Sequence, residues 1–161
     1  MTKFIQTTDS DINKRNLRAI ELLKETKLLN IARLAKMLVD LFGIDDQFQK
    51  MKKYEGKEVE LVFPHYDGSI TFILTSDRKK FDCRLGKADN TASKITLKLK
   101  EDDILKVLSK IIRSKDNIFG LLKVGKLYIL GKVKINGSLR SAIALTKCLM
   151  IGKHEIYKNK K

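Results

Sequence analysis

Two cysteines, Cys83 and Cys148, and two histidines, His65 and His154, are the residues best suited to hold a metal ion in this chain. Side chains of these types bind zinc when short spacings bring several of them together. Here they are spread along the sequence, and neither histidine belongs to an HxxxH or HExxH pair. We therefore predict no metal site, and we interpret both cysteines as reduced, mostly buried thiols.

Catalytic motifs are missing as well. The sequence contains no GxxxxGK[ST], GxGxxG or GxSxG pattern, so neither a phosphate loop nor a nucleophile elbow is indicated. Carboxylates are scarce after Asp103, where only Asp116 and Glu155 follow, and a pair of acids for general acid–base catalysis is not expected there. We predict a protein that is not an enzyme and that uses no cofactor.

Positive charge is concentrated in the last third of the chain. The formal net charge is +15, and residues 104–161 carry 14 Lys or Arg against two acids. Such asymmetry favours an anionic partner on that side: a lipid head group, a membrane surface or nucleic acid. The alternative is a lysine-rich surface that serves only solubility.

The elements that must position these residues begin with helices. No Gly or Pro interrupts the chain between Thr7 and Gly43, and apolar residues recur there at helical spacing. This pattern predicts one long helix, or two that break near Thr26, with Gly43 as the stop. A short helix from Asp45 through Tyr54 follows.

The hydrophobic period then changes to two, which indicates strands. Four strands are predicted, at 58–63, 69–75, 79–85 and 93–100. Short connections make an antiparallel meander the simplest arrangement of the first three. After them we predict a helix at 102–113, a short apolar segment at 118–122, a strand at 126–135 and an apolar helix at 138–150. Strands grouped apart from helices favour the α+β class.

Rows of lysines support an alternative function, the binding of nucleic acid or another anionic surface. Lys94, Lys98 and Lys100 share one face of their strand, and Lys132 and Lys134 share a face of another. Sheets that bind bases need aromatic side chains for stacking, and Tyr128 alone joins these lysines. Edge protection and solubility explain such rows equally well.

The order of motifs from residue 92 onward resembles the sterol carrier protein type 2 family. The matching segments are ASKITLKLKEDDILKVL at 92–108, DNIFGLL at 116–122 and GKVKINGSLRSAIAL at 131–145. The resemblance extends over about 57–150. It implies a five-stranded mixed sheet with helices covering one face, and an apolar tunnel between the layers for a fatty acid, acyl-CoA or sterol-like ligand.

The resemblance also implies which residues line the tunnel. They are Phe72, Leu74, Phe81, Leu105, Leu108, Ile112, Ile118, Phe119, Leu122, Leu145 and Leu149. Outside the tunnel, we expect Lys126, Lys132, Lys134 and Arg140 to contact an anionic surface.

The leading hypothesis is therefore a lipid-binding or lipid-transfer domain at 57–161, preceded by a helical extension at 1–56. The expected partners are a lipid or acyl-chain ligand and, transiently, an anionic membrane surface. The extension exceeds the short leading helix of the family, and it could cover the tunnel mouth, form a homodimer or dock a partner. The first residues lack the pattern of a signal peptide and the last residues lack a peroxisomal ending, so we expect a cytoplasmic protein.

Overall fold

A computed structural model describes residues 9–99, 103–104 and 125–149 of the chain. Helix α1 spans Asp9–Phe42 as one continuous helix, and α2 spans Asp45–Gln49. A turn of 3-10 helix at Lys52–Tyr54 precedes the first strand. The predicted long helix is thus confirmed without a break at Thr26, and Gly43 follows its last residue.

Five strands form a single mixed sheet: β1 at Glu58–Phe63, β2 at Gly68–Ile73, β3 at Asp82–Leu85, β4 at Thr91–Leu97 and β5 at Val133–Gly137. Their order in the sheet is β3-β2-β1-β4-β5. Strands β1, β2 and β3 form the predicted antiparallel meander. The central pair β1 and β4 is parallel, and β5 runs antiparallel to β4. Within the described residues, the final helix is α3, which spans Leu139–Leu149.

The predicted strand at 126–135 is wrong in its first half. Residues 125–129 are helical, and strand β5 begins only at Val133. The backbone N–H of Leu130 donates to the Lys126 carbonyl over 3.0 Å, and Gly131, with a φ of 68°, then redirects the chain. Four successive apolar residues from Leu127 fit a helical turn as well as a strand, so alternation could not decide between them.

Helices α1 and α3 cover the apolar face of the sheet. Strand residues that alternate onto this face, such as Val59, Phe72 and Ile95, are buried in one core with Leu28 of α1 and Leu145 of α3. The predicted arrangement, an α+β fold with helices on one face of a five-stranded mixed sheet, is confirmed. The division at residues 56 and 57 stays a prediction.

A sharp turn joins β5 to α3. Gly137 has a φ of 94°, a conformation that side chains with a Cβ rarely adopt. Its neighbour Ser138 caps α3 as predicted, because its hydroxyl oxygen accepts a hydrogen bond from the Ser141 backbone N–H over 3.2 Å. The Ser138 backbone N–H donates to the Ala92 carbonyl over 2.9 Å, which ties the start of α3 to β4.

The first part of α1 extends away from the core. Residues 10–23 are exposed around the whole helix, and the apolar side chains of Leu17 and Ile20 are 62% and 52% exposed. Core contacts begin at Leu28. Among the helices that the structure describes, none combines the length and apolarity needed to cross a membrane.

Candidate functional site

The predicted tunnel residues that the structure describes lie in the packed layer between helices and sheet. Phe81 is at the centre of an aromatic cluster, with ring centroids 5.8 Å from Phe48 and 5.9 Å from Phe72. Leu74 and Leu145 are also buried in this core, and Leu149 packs against it half-buried. These side chains belong to one packed core between helices and sheet, and their assignment to a tunnel wall stays a prediction.

The remaining tunnel residues fall outside the described part of the chain. They are Leu105, Leu108, Ile112, Ile118, Phe119 and Leu122. Their assignment to the tunnel stays a prediction.

One polar atom in the packed layer is unusual. Ser93 lies two residues before Ile95 on β4, so the two side chains share the apolar face of the sheet. Ser93 is 0% exposed there. Its Oγ has no hydrogen-bond partner among the described residues. Nearly all buried polar groups in proteins are paired, so a hydroxyl of this kind needs an explanation.

A groove lies between residues 47–54 and helix α3; we call it the basic groove. It has a volume of about 650 Å³. Its described lining residues are Gln47, Lys50, Met51, Lys52, Lys53, Tyr54, Arg140, Ile143, Ala144 and Lys147. The α3 members recur at i, i+3, i+4 and i+7, which places them on one helical face.

Arg140 is the one predicted surface contact that lines this groove. Lys126, Lys132 and Lys134 are exposed, but Lys126 and Lys132 lie in and beside the turn that leads into β5, and Lys134 lies in β5 itself. Sequence reasoning missed Lys50, Lys52, Lys53 and Lys147 as part of a site, although their charges are visible in the sequence. Only the packing of 47–54 near α3 brings them to Arg140.

A second groove, of about 490 Å³, lies between the exposed part of α1 and the edge of the sheet. Leu17 and Ile20 line one side of it, and Tyr66 and Leu85 line the other. An ion pair between Lys24 and Asp67 crosses from the helix to the loop before β2.

The other face of the sheet is polar, and two of its cations pair with acids. Glu60 lies 3.5 Å from the Lys94 ammonium, measured from Oε1 to Nζ, and Arg84 contacts Glu58 and Asp89. Strands β4 and β5 are neighbours, with Thr96 opposite Lys134, as a lysine platform would require. However, Glu60 of β1 lies on the same face and pairs with Lys94. The platform hypothesis therefore loses support.

Glu58 is the most strongly bound of these acids. Its Oε2 accepts from the backbone N–H groups of Asn90 and Asp89 at 3.0 and 2.6 Å, and its Oε1 lies 3.1 Å from the Arg84 guanidinium. The backbone N–H of Asn90 is the main reason that the pKa of the Glu58 carboxyl is lowered from its ordinary value of 4.5, and Arg84 adds to the effect.

We expect Glu58→Gln to lower the free energy of unfolding by about 1–2 kcal/mol near neutral pH, because hydrogen bonds to a charged acceptor are lost. A carboxyl with a lowered folded pKa stabilises the protein fully above its unfolded pKa of 4.5, and that contribution is lost as pH falls through the folded pKa. The difference between wild type and variant should therefore shrink in acid. Urea denaturation across this pH range measures it, with Glu21→Gln on α1 as the control; a difference independent of pH would contradict the prediction.

The two thiols are not activated. Burial raises the pKa of Cys148 to about 12 and raises that of Cys83 as well. The Cys83 Sγ donates to the Ala32 carbonyl of α1 over 3.4 Å. A thiol with a raised pKa is a poor nucleophile at neutral pH. Within the described residues, no three His, Cys, Asp or Glu side chains are grouped so as to hold a metal ion.

Comparisons with known proteins bear on the fold. No protein-family model matches the chain, and no curated protein matches its sequence. Among solved structures, the chain is similar to UbiJ-SCP2, a ubiquinone synthesis protein, with 12% identity and a TM-score of 0.54 over 80% of this chain and 96% of that one. A weaker similarity, 11% identity and a TM-score of 0.46, covers 69% of this chain and 14% of the sec-alkylsulfatase Pisa1 from Pseudomonas sp.. The first match agrees with the order of strands and helices described above, and the chain therefore has a sterol carrier protein type 2-like fold.

Proposed function

We propose that this protein binds an apolar lipid, without chemical conversion, between helix α3 and the apolar face of the sheet, and that it transfers the lipid between surfaces. The ligand classes are a fatty acid, an acyl-CoA, a sterol-like molecule or, in view of the UbiJ-SCP2 neighbour, an apolar quinone. Burial of each CH₂ group of such a ligand contributes about 0.8 kcal/mol.

The observation that carries the proposal is the buried hydroxyl of Ser93 in a mostly apolar layer, which has no hydrogen-bond partner among the described residues. Ligand pockets are mostly apolar and contain a few polar groups that fix the orientation of the ligand. Ser93 has this character, because its Oγ is free to bond an oxygen of a lipid that enters beside α3. The sterol carrier protein type 2-like fold shared with UbiJ-SCP2 supports lipid binding as the kind of function.

Binding of nucleic acid has less support. The paired acids Glu58 and Glu60 lie among the lysines of the polar face, and Tyr128 is in the helical turn at 125–129 instead of on a strand.

An expected partner surface for transfer is an anionic membrane, which the exposed Lys126, Lys132 and Lys134 suit. Cytoplasmic location and a homodimer through α1 belong to the same proposal.

Mass spectrometry of the gently purified protein, without detergent, should detect a bound lipid. Titration with a fluorescent fatty acid, a fluorescent sterol and a short-chain quinone then tests uptake. Absence of lipid in the spectrum together with no uptake of any probe would refute the proposal.

Ser93→Ala separates a ligand contact from a packing role. Removal of an unpaired buried hydroxyl should leave the free energy of unfolding unchanged or raise it, because no hydrogen bond is lost. The affinity for the probe should nevertheless fall by about tenfold, because the hydrogen bond between Ser93 and the ligand is lost. Ser69→Ala, a buried serine on the opposite face of β2, is the control. Equal uptake by wild type and Ser93→Ala would remove Ser93 from the site.

A further inference from the structure

The basic groove has no role in the lipid layer just proposed, yet it has the features of a binding site. We propose that it binds the phosphate group of an anionic ligand, carried either by a water-soluble phosphate ester or by a lipid head group. This inference does not depend on the lipid function, since the groove lies at the surface between 47–54 and α3.

Unbalanced charge is the first support. Five cations line the groove, and none of them forms an ion pair with a carboxylate among the described residues; they are Lys50, Lys52, Lys53, Arg140 and Lys147. Some cations elsewhere on the surface do have acidic partners: Lys36 contacts Asp82, and Arg78 contacts Asp45. Cations gathered in one concave place repel each other, and an anion between them relieves this repulsion.

The shape of the groove is the second support. Its volume of about 650 Å³ lies within the range of small-molecule sites. Met51 and Ala144, which are 4% and 3% exposed, form part of the apolar floor together with the more exposed Ile143. An apolar or sugar-like portion of the ligand can lie on this floor while the phosphate contacts the cations.

The arrangement of cations favours phosphate over a single carboxylate. Arg140 offers a planar guanidinium whose N–H groups match two phosphate oxygens, and the lysines act as point charges for a dianion. Arg140 and Lys147 come from one face of α3, and Lys50, Lys52 and Lys53 approach from the facing segment. Cations therefore line the groove from both sides. Tyr54 holds the Lys53 ammonium 5.1 Å from its ring centroid, which restricts that side chain.

Calorimetry with three probes tests the inference: glycerol 3-phosphate, lauroyl-glycerol 3-phosphate below its micelle concentration, and neutral lauroyl-glycerol. We expect Arg140→Gln/Lys147→Gln to weaken binding of a phosphate probe by about tenfold or more, because two charge-assisted contacts are lost. The double variant Lys14→Gln/Lys87→Gln removes the same charge elsewhere and should bind like wild type. Thermal melts establish that both variants are folded.

The pattern among probes identifies the source of the phosphate. Equal binding of both phosphates indicates a soluble ester, and tight binding of the lauroyl phosphate alone indicates a lipid head group. The inference is overturned if neither phosphate binds, if neutral lauroyl-glycerol binds as tightly as its phosphate, or if the control variant loses as much affinity. Failure of the lipid proposal would instead appear as no uptake in the Ser93 experiment, which leaves the glycerol 3-phosphate result unaffected.

Discussion

Phe81→Ala is expected to lower the free energy of unfolding by about 3–5 kcal/mol, a large part of the stability of a typical domain. The Phe81 ring is 1% exposed and contacts both Phe48 of α2 and Phe72 of β2, so its removal leaves a cavity between these elements. Chemical denaturation monitored by circular dichroism measures the change. Tyr128→Ala truncates an aromatic ring that is 54% exposed and should cost far less.

The same variant tests the assignment of Phe81 to a tunnel wall. If Phe81 contacts a ligand across an open space, the variant should remain stable and bind bulkier lipids. If the aromatic cluster is a packed core, unfolding should dominate, and the ligand must then lie nearer to α3. A stable Phe81→Ala protein with altered ligand preference would contradict the packing prediction.

Gly137→Ala is the second change with a large expected effect. A Cβ on Gly137 would lie 2.8 Å from the Ala92 carbonyl oxygen, a backbone atom that cannot move aside cheaply. The φ of 94° adds strain for any side chain. We expect a loss of at least about 2 kcal/mol in the free energy of unfolding, because the joint between β5 and α3 must shift.

Two other glycines distinguish the effect of the close contact with Ala92 from the effect of the positive φ. Gly56 also has a positive φ, of 71°, but a Cβ there meets nothing within 4 Å, so Gly56→Ala should show the conformational strain alone. Gly125→Ala, in open space without a positive φ, should have little effect. If Gly137→Ala costs no more than Gly56→Ala, the close approach to Ala92 does not matter for stability.

Alternation predicted most of the sheet because one face of each strand is buried and the other is polar. Thr91–Leu97 shows this clearly, with Ser93 and Ile95 inward and Lys94 outward. The strand at Asp82–Leu85 is shorter than predicted, since Arg78–Lys80 forms a 3-10 turn that Asp77 caps through its contact with the Lys79 backbone N–H. A local polar contact of this kind outweighs a weak alternating pattern.

The candidate sites were less accessible to sequence reasoning. The basic groove joins two segments some 90 residues apart, and nothing in the local pattern of Lys50, Lys52 and Lys53 indicates that α3 lies opposite. Ser93 looked like one polar residue at the start of a strand. Its significance depends on knowing that Gly137 and α3 close over that end of β4, which follows from tertiary packing alone.

The strand order also fixes how the layer is assembled as the chain is made. Residues 9–97 supply α1 and four of the five strands. These four strands are adjacent in the sheet, in the order β3-β2-β1-β4. Strand β5 and α3 come from residues 133–149 and add to the open edge of β4. Until they arrive, β4 offers an unpaired edge and an uncovered apolar face, which are the features that invite association with other chains or with a chaperone. Among the parts of the layer that the structure describes, the part beside Ser93 is therefore the last to close during synthesis.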